Sequence, residues 1–307
     1  MNIAITGSTG LIGSTVTEYF RGLGHTVTRM CRPDSDIPSH ERVVQWDARS
    51  GDIHTPNLAG QDVIINLAGA NIAAQKWSAW YKEEILNSRV HGTRLLCQVL
   101  AKFKLPPKVL LSASAVGFYG IHPSSDSLDE SGPAGSDFLS GVCDQWEQAT
   151  QPAVEAGIRV VHMRFGVVLS GQGGALSKML KPFQYGLGGK IGPGDQMMSW
   201  IALDEIPHVM KHLIESESIS GAVNVVSPQP VTNAQFTRTL GKVLRRPTIL
   251  PLPSFAVKLL FGEMGETLLL GGQKVIPAKL IESGYHFKYS ALEEALSVSL
   301  APKRSAQ

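Results

Sequence analysis

The alternation of apolar and polar residues predicts strands and helices that follow one another along the first half of the chain. A short β-branched strand over residues 2–6 leads into three glycines, and an amphipathic helical pattern begins at Leu11. The other elements predicted in this half are strands over 25–32, 42–46, 62–67 and 109–112 and a helix over 82–103. Strands and helices that alternate at these lengths form βαβ units, so the predicted fold class is α/β with a doubly wound parallel sheet.

The pattern changes after residue 165. One strand is predicted over 221–226, and helical patterns cover 233–244, 254–270 and 292–300, the first of them entered through Thr232 or Asn233 as the cap. Glycine-rich stretches around Trp200 are typical of a shaped substrate wall and equally of an ordered structural loop. The predicted division is a sheet domain over 1–165 and a smaller C-terminal substrate or lid region over 166–307, with one compact unit and a lid favoured over two independent domains.

Composition and charge favour small-molecule chemistry. The 307 residues are 43% hydrophobic and 18% charged, which is typical of a globular protein with a sizeable core. The formal net charge of +2 is nearly balanced and includes no long Lys/Arg block, so neither nucleic acid nor a membrane is expected as a partner. Three cysteines without C-x-x-C spacing predict neither a disulfide framework nor a zinc site, and no metal is expected. Because no signal-like or long apolar stretch occurs, the expected location is the reducing cytoplasm.

The first glycine-rich turn is predicted to hold the phosphates of a dinucleotide. Gly7, Gly10 and Gly13 follow a strand at G-x-x-G-x-x-G spacing and open a helix, which is the arrangement of a Rossmann fold. Gly7 permits the sharp turn, Gly10 lets the backbone approach a pyrophosphate, and Gly13 allows close helix–strand packing. The helix N-terminus offers N–H groups to phosphate, and the hydroxyls of Ser8 and Thr9 add donors. The position of the glycines between a strand and a helix, more than their spacing, carries this prediction.

The end of the second predicted strand favours NADP over NAD. An NAD site places a carboxylate roughly twenty residues past the glycines to hold the ribose 2′-hydroxyl, and no acid lies inside this strand. Arg29 and Arg32 are present instead, and a guanidinium forms bidentate hydrogen bonds with a 2′-phosphate. Arg32 is favoured because it stands just past the strand's carboxyl end. The alternative is a solvated surface arginine, an interpretation that applies more readily to Arg29.

Two further strand ends hold candidate cofactor contacts. Asp47, at the end of the third predicted strand, is placed to accept a hydrogen bond from an adenine amino group, and an ordinary loop-capping aspartate is the alternative. Leu67 is followed by Ala68 and Gly69, small residues that let the backbone approach a ligand. Because the carboxyl ends of parallel strands share one edge of a sheet, these residues and the glycine turn are expected to line one crevice.

Motifs along most of the chain resemble those of extended short-chain dehydrogenases/reductases. They are Thr6-Gly7-Ser8-Thr9-Gly10-Leu11-Ile12-Gly13, Asn66-Leu67-Ala68-Gly69, Gly92-Thr93, Ser112-Ala113-Ser114 with Tyr119-Gly120, and Arg164. Finer features resemble the YfcH-type branch of epimerase-family proteins, and these are Ser88-Arg89, Trp146-Glu147, Gly192-x-Gly194, Ser199-Trp200-Ile201 and Gly271-Gly272-Gln273-Lys274-Val275-x-Pro277. The resemblance implies a Rossmann domain that binds NADP(H).

The resemblance also implies individual cofactor contacts. Cys31 and Arg32 would hold the adenosine 2′-phosphate end, Arg89 would point at the cofactor from its helix, and Val168 resembles the family's backbone contact near the nicotinamide amide. Glu84, between one and two helical turns before Arg89, either shares this cleft or belongs to a solvated helix face. Leu67 and Ala68 would line the ribose. The full set of expected cofactor contacts is Gly7, Thr9, Gly10, Leu11, Ile12, Gly13, Cys31, Arg32, Asp47, Leu67, Ala68, Gly69, Glu84, Arg89 and Val168.

The chain departs from this family at the residues that transfer protons. These reductases carry Tyr-x-x-x-Lys on the helix after the serine loop, with tyrosine as general acid/base and lysine lowering its pKa while holding the ribose. Here one alignment pairs Phe138 with Val142 and the other pairs Leu139 with Cys143, and neither pair suits that chemistry. The usual proton relay is therefore missing.

Two residues are the candidates for catalysis. Ser114, or alternatively Ser112, stands where the family's donor to the substrate carbonyl would be, and Tyr119 is the nearest substitute for the missing tyrosine. A packed aromatic whose hydroxyl finds a backbone partner is the alternative interpretation of Tyr119. The expected function is an NADP-dependent oxidoreductase or epimerase-like enzyme that acts on a small carbonyl or sugar-nucleotide substrate. The alternative is a non-catalytic NADP(H)-binding sensor or interaction protein, and the oligomeric state is not indicated.

Overall fold

The structure is a computed structural model that describes residues 1–35, 37–38, 40–47 and 51–301. The chain forms two compact units. The first comprises Met1–Gly120, Pro133–Arg164 and Pro207–Val223, and the second comprises Ile121–Gly132, Phe165–Ile206 and the chain from Asn224 onward. The division expected from the sequence, with a single boundary after residue 165, stays a prediction.

Strands and helices alternate through the first half of the chain. The strands are β1 (Asn2–Thr6), β2 (Thr26–Cys31), β3 (Val43–Asp47), β4 (Asp52–Ile53), β5 (Val63–Asn66), β6 (Val109–Ala115), β7 (Ser127–Leu128), β8 (Arg159–Phe165), β9 (Val167–Leu169), β10 (Met197–Met198), β11 (Trp200–Ala202), β12 (Gly221–Val225), β13 (Val231–Thr232) and β14 (Lys274–Val275). The α-helices are α1 (Leu11–Gly22), α2 (Ala79–Leu100), α3 (Phe138–Gln148), α4 (Gln151–Glu155), α5 (Gly174–Gln184), α6 (Ile206–Glu215), α7 (Asn233–Leu244), α8 (Ser254–Gly265), α9 (Ala278–Glu282) and α10 (Leu292–Leu300).

The main sheet has eight strands in the order β12-β8-β6-β5-β1-β2-β3-β4. Strand β1 pairs in parallel with both β2 and β5, and the pairs β2/β3 and β5/β6 are parallel as well. The two-residue strand β4 runs antiparallel to β3. The predicted α/β class, a doubly wound parallel sheet of the Rossmann type, is confirmed.

The central strands are buried on both faces, as their unbroken apolar runs predict. In β1, Ile3 and Ile5 are fully buried together with Ala4 between them. On one face of the sheet, Leu96 and Leu100 of α2 pack in a common core with side chains of β1, β2, β5 and β6. The parallel register places the carboxyl ends of β1, β5 and β6 side by side, and this edge positions the candidate site.

Trp200 belongs to the core of the second unit. Its side chain is fully buried, and its indole Nε1 donates a hydrogen bond of 2.9 Å to the carbonyl oxygen of Gln229. Strand β11, which contains it, pairs in parallel with β9. Of the two interpretations of the glycine-rich stretches, the position of Trp200 favours the ordered structural loop over the substrate wall.

Hydrogen bonds of Ser199 hold the C-terminal motif at 271–277 within the second unit. The Ser199 hydroxyl donates to the carbonyl oxygen of Gln273 and accepts from the N–H of Val275, each at 2.9 Å. A Cβ atom at Gly272 would lie 2.2 Å from the carbonyl oxygen of Met197, so only glycine fits there. Strand β14 pairs with β7 next to this contact. The motif is therefore explained by packing within this unit.

Capping residues explain where two of the predicted helices begin. Helix α2 begins at Ala79 because the Ser78 hydroxyl accepts a hydrogen bond from the N–H of Tyr81. Helix α7 has the predicted bounds, and Thr232, not Asn233, is its cap in a reciprocal capping box with Gln235. The helical pattern predicted over 254–270 is interrupted at Gly262, whose φ is +57°.

Candidate functional site

The glycine turn has the shape expected of a phosphate cradle. Gly7 has a φ of +63°, and a Cβ there would lie 2.7 Å from the carbonyl oxygen of Leu67, so the turn lies tightly against the end of β5. Gly13 fits against the turn itself, because its Cβ would lie 2.2 Å from the carbonyl oxygen of Gly7. Gly10 is the N-cap residue of α1, is exposed, and has no side chain to occupy the first N–H groups of the helix. Thr9 beside it is exposed too.

Arg29 braces this turn, a role that the sequence analysis did not assign to it. Its Nη2 donates 2.8 Å to the carbonyl oxygen of Ser8, and its Nε donates 3.3 Å to the Ser8 hydroxyl. Ser8 is buried, so its hydroxyl faces the arginine. Glu41 accepts from Arg29 at 3.5 Å and from both terminal nitrogens of Arg21. These partners are distant in sequence, and no local pattern indicates them.

The two predicted 2′-phosphate contacts lie at the end of β2. Cys31 is buried, and burial raises the pKa of its thiol, so the side chain is a neutral thiol and not a thiolate. Arg32 extends from the next position with its side chain 56% exposed, and its Nε lies 3.6 Å from an Asp34 carboxylate oxygen. Such an exposed pair is weak. The structure thus separates Arg29, which is used internally, from Arg32, whose guanidinium is accessible to a ligand.

A buried row of polar groups crosses the carboxyl edge of the sheet. The Thr6 hydroxyl donates 2.7 Å to the Asn66 side-chain oxygen and accepts from the N–H groups of Leu67 and Ala68. The Asn66 amide donates to the hydroxyls of Thr93 and Ser112 at 2.9 and 3.3 Å. This row fixes the Leu67–Ala68 backbone against the glycine turn. Of the two candidate serines, Ser112 belongs to this row and Ser114 contacts a carboxylate, that of Glu147.

Arg89 lies beside the loop that follows β5. Its Nη2 donates 3.0 Å to the carbonyl oxygen of Ala70, its Nη1 donates 3.0 Å to that of Ile85, and its Cζ lies 5.1 Å from the centre of the Trp146 ring. Burial lowers the pKa of this guanidinium. Within the part of the chain that the structure describes, no carboxylate forms an ion pair with it. A half-buried cation held by carbonyl oxygens and an aromatic face suits an anionic ligand.

The remaining predicted cofactor contacts are placed as follows. Leu11 and Ile12 are half-buried at the start of α1, and Gly69 is exposed next to Arg89, whose Cζ would lie 3.2 Å from a Cβ at that position. Asp47 ends β3 and is half-buried, and Glu84 is half-buried on α2. Val168 lies in the second unit, in β9, opposite Ile201 of β11. The structure thus brings together the glycine turn, Leu67–Ala68 and, around Gly69, Arg89.

Ser114 belongs to a buried chain of charged groups. Its hydroxyl donates a 2.6 Å hydrogen bond to a Glu147 carboxylate oxygen. Arg164 binds both oxygens of Glu147, through Nε and Nη2, at 2.8 Å each. Burial alone would lower the pKa of Arg164, and its hydrogen bonds to Glu147 reverse this and raise it. The pair fixes the carboxylate beneath the end of β6, so a proton leaving the serine has an acceptor already in contact.

Tyr119 lies at the other side of Arg164. Its side chain is fully buried, and its hydroxyl accepts a hydrogen bond of 3.0 Å from Nη1 of the arginine. The Arg164 Cζ also stacks 3.5 Å from the centre of the Phe118 ring. This placement favours the packed interpretation of Tyr119, with an arginine in place of the expected backbone partner.

Helix α3 carries the residues that the two alignments place at the tyrosine and lysine positions. Phe138 stacks edge-on with Trp77 at 5.2 Å between ring centres, and the Lys82 ammonium lies 4.7 Å from the same ring. Cys143 is buried, which raises its thiol pKa to about 12 despite the nearby charge of Arg89. A thiol with that pKa stays protonated near neutral pH. The guanidinium of Arg89 therefore supplies positive charge next to the residue that, in the Leu139 alignment, replaces the lysine.

The described residues contain no group of three or more His, Cys, Asp or Glu side chains able to hold a metal ion. None of the described helices has the length and apolar character needed to cross a bilayer.

Two known families match parts of the chain. Residues 3–225 match the family described as NAD dependent epimerase/dehydratase, which covers the glycine turn, Arg89, Ser114, Glu147 and Arg164. Residues 252–298 match a domain of unknown function, DUF1731. The second match includes α8, the 271–277 motif and most of α10.

Individual relatives match nearly the whole of this chain. Epimerase family protein Mb2239 of Mycobacterium bovis is 41% identical over 294 residues, which cover 96% of each chain. The crystal structure of human epimerase family protein SDR39U1 (isoform 2) with NADPH has a TM-score of 0.88 and 35% identity, and the match covers 97% of this chain and 98% of the human one. A nucleoside-diphosphate sugar epimerase from Corynebacterium glutamicum has a TM-score of 0.79 and 34% identity over 98% of this chain and 58% of its own.

Proposed function

Because the chain belongs to the NAD-dependent epimerase/dehydratase family, we propose that it is an NADP(H)-binding oxidoreductase or epimerase-like enzyme acting on a small carbonyl or sugar-nucleotide substrate. The observation that carries the proposal is the N-terminus of α1, which opens at exposed Gly10 directly after β1, beside the Leu67–Ala68 backbone. The human relative crystallised with NADPH and the Corynebacterium sugar epimerase support the cofactor and the substrate class respectively. Membership of the YfcH-type branch is part of this proposal.

The cofactor would be held by three groups of this chain. The pyrophosphate would bind the N–H groups at the start of α1, where Gly7 and Gly13 leave no space for a Cβ and Gly10 leaves the approach open. Arg32 would bind the adenosine 2′-phosphate. Arg89 would supply the positive charge of the missing lysine, because its guanidinium lies between the loop after β5 and Cys143.

In the enzymatic form of the proposal, a bound nicotinamide supplies or accepts the hydride, and this chain handles the proton. When a substrate hydroxyl is oxidised to a carbonyl, its proton passes to the Ser114 oxygen as Ser114 gives its own proton to Glu147, and reduction runs in the opposite direction. The 2.6 Å contact between Ser114 and Glu147 supports this route, and Arg164 keeps the carboxylate in position. Buried Tyr119 takes no part in it.

A second candidate function has an observation of its own. Ser114 is only 2% exposed, Tyr119 is fully buried, and both hydroxyls are already engaged. A protein that binds NADP(H) without turnover, as a sensor or an interaction protein, needs none of these groups to be reached by substrate.

Cofactor choice is tested by calorimetric titration of the purified protein with NADPH and with NADH. We expect NADPH to bind more tightly, and Arg32→Ala to weaken NADPH binding by about tenfold to a hundredfold with NADH unchanged, since hydrogen bonds to charged groups contribute about 1.5–3 kcal/mol. Arg42→Ala is the matched control, an exposed arginine at the amino end of the neighbouring strand. No binding of either nucleotide at millimolar concentration overturns the proposed function.

Turnover is tested separately by following the absorbance of NADPH with a panel of aldehydes, ketones and keto-sugar nucleotides. The enzymatic form predicts oxidation with at least one substrate and its loss in Ser114→Ala, with NADPH affinity retained. Tight NADPH binding without oxidation by any member of the panel favours the non-catalytic function.

A further inference from the structure

One face of the second unit presents large apolar side chains to solvent. Two segments, 186–192 and 247–252, run side by side there: the Leu250 N–H donates 3.3 Å to the carbonyl oxygen of Gly188, and the Leu252 N–H donates 2.9 Å to that of Lys190. Helix α8 begins two residues after Leu252. The exposed apolar residues of this surface, which we call the apolar face, are Tyr185, Leu187, Ile249, Leu250, Phe255, Leu259 and Leu260.

The exposure of α8 is large for an apolar helix. Phe255 is 73% exposed and Leu259 is 79% exposed, and a spacing of four residues puts them on the same side of the helix. Val257, on the opposite side, is fully buried. Single exposed apolar residues need no explanation, but a group of seven on adjoining segments marks a surface that binds something.

The charge around the apolar face is mostly positive. Neither residues 165–194 nor residues 224–262, the stretches that supply the whole face, contain any aspartate or glutamate. The same stretches carry eight basic residues, which are Lys178, Lys181, Lys190, Arg238, Lys242, Arg245, Arg246 and Lys258. Lys242 and Lys258 pair with Glu293 and Glu266, and exposed Glu263 lies on the same helix as Phe255 and Leu259. Acidic residues elsewhere in the chain balance this local excess of positive charge, so the formal net charge of the whole chain is only +2.

We propose that the apolar face docks on an anionic lipid bilayer surface, with Phe255, Leu259 and their neighbours inserted among the lipids and the basic residues at the headgroups. Exposed bulky apolar residues combined with an excess of lysine and arginine over acids are what an anionic interface attracts. A second copy of this chain fits less well, because a symmetric contact would place one basic face against another. Nucleic acid would match the charge but would leave the aliphatic side chains without a partner. The sequence predicts no membrane partner, and the proposal replaces that expectation for the apolar face.

The test is flotation of the full-length protein with vesicles of phosphatidylcholine, with and without phosphatidylglycerol. Wild-type protein is expected to float with the vesicles that contain phosphatidylglycerol, less so at high salt, and to bind pure phosphatidylcholine weakly. Phe255→Ser with Leu259→Ser is expected to abolish flotation. Arg245→Asn with Arg246→Gln is expected to weaken it by about fivefold for each charge removed. Asparagine is chosen at 245 because that residue has a φ of +53°.

Matched controls come from the exposed residues Lys102, Lys104 and Leu105 in the first unit. Lys102→Gln with Lys104→Gln, and Leu105→Ser, are expected to leave flotation unchanged, and thermal unfolding shows that every variant is folded. Absence of flotation with any vesicle, or equal flotation of wild type and both face variants, overturns the proposal. So does a dimer in solution that Phe255→Ser with Leu259→Ser dissociates while vesicles stay unbound, because the face is then an interface between copies. Binding of RNA in place of vesicles has the same consequence.

Discussion

The Nη2 atom of Arg29 donates a 2.8 Å hydrogen bond to the carbonyl oxygen of Ser8. This bond joins β2 to the turn that follows β1. The side chain of Arg29 is only 14% exposed, and the Ser8 hydroxyl accepts from it as well. Arg29 and Arg32, which lie near the end of the same strand, therefore have different roles. Arg29 holds the cradle in shape, and Arg32, three residues later, extends outward.

Arg29→Ala is expected to lower both stability and the affinity for either dinucleotide. The free energy of unfolding should fall by about 1.5–3 kcal/mol, because Ser8 loses a charged donor. NADPH and NADH affinities should fall by the same factor, since the variant loosens the pyrophosphate cradle and leaves the 2′-phosphate contact unchanged. Urea unfolding and calorimetric titration measure the two effects. A loss confined to NADPH would move the 2′-phosphate contact from Arg32 to Arg29.

The ion pair of Arg21 with Glu41 predicts a dependence of stability on pH. Hydrogen bonds from Arg21 hold the pKa of the Glu41 carboxyl below its ordinary value of 4.5, and the charge of Arg29 acts in the same direction. A folded-state pKa below the unfolded one gives stability that is present above pH 4.5 and is lost as the pH falls through the folded value.

Glu41→Gln is therefore expected to be less stable than wild type at pH 7, by about 1 kcal/mol or less because Arg21 is partly exposed, and equally stable in acid. Urea unfolding of both proteins between neutral and acid pH measures the difference. Glu155→Gln, on the short helix α4, is the control. A stability difference that grows on acidification contradicts the assignment.

The local features of the chain were predictable and the long-range ones were not. The glycine turn and the ends of α7 follow from residues within a few positions of one another, as in the Thr232–Gln235 capping box. The parallel pairing of the central strands follows from the alternation of strands and helices. These features are set by backbone geometry that the sequence displays directly.

The chemistry of the site depends on contacts that the sequence pattern does not contain. Glu147 was visible only as part of a motif, yet it joins Ser114, 33 residues away, to Arg164, 17 residues away. Trp200 was consistent with a wall or with a loop, and only tertiary packing places it in a core. In both cases the role of a side chain is set by neighbours from other elements, which periodicity cannot identify.

The Glu147–Arg164 pair is expected to be strongly non-additive. Arg164→Met alone should cost about 3–5 kcal/mol of unfolding free energy, because it leaves Glu147, whose side chain is 11% exposed, with only the His162 ring at 3.9 Å as an ionic partner. Adding Glu147→Leu should restore much of that loss, since both charges are then gone. A double-mutant cycle by urea unfolding measures the coupling. Additive effects of the two substitutions would show that solvent, not Arg164, neutralises the carboxylate.

Arg89 should behave in the opposite way, because its charge has no carboxylate partner among the described residues. Burial lowers the pKa of its guanidinium, which means that the charged form is less stable in the folded protein than in water. Arg89→Met, which keeps much of the side-chain volume, is therefore expected to leave the melting temperature unchanged or higher. Both NADPH and NADH affinities should fall by about tenfold, because a charge-assisted bond to the cofactor is lost.

The matched control for Arg89→Met is Arg94→Met, an exposed arginine on the same helix, which should change neither quantity. Calorimetric titration and thermal unfolding of the three proteins separate the possibilities. If Arg89 served only stability, Arg89→Met would lower the melting temperature and leave both nucleotide affinities unchanged. That result would remove Arg89 from the cofactor site. A gain in stability combined with a loss of affinity for both nucleotides is expected only where the ligand supplies the missing negative charge, because the cost of burying the cation is then recovered on binding.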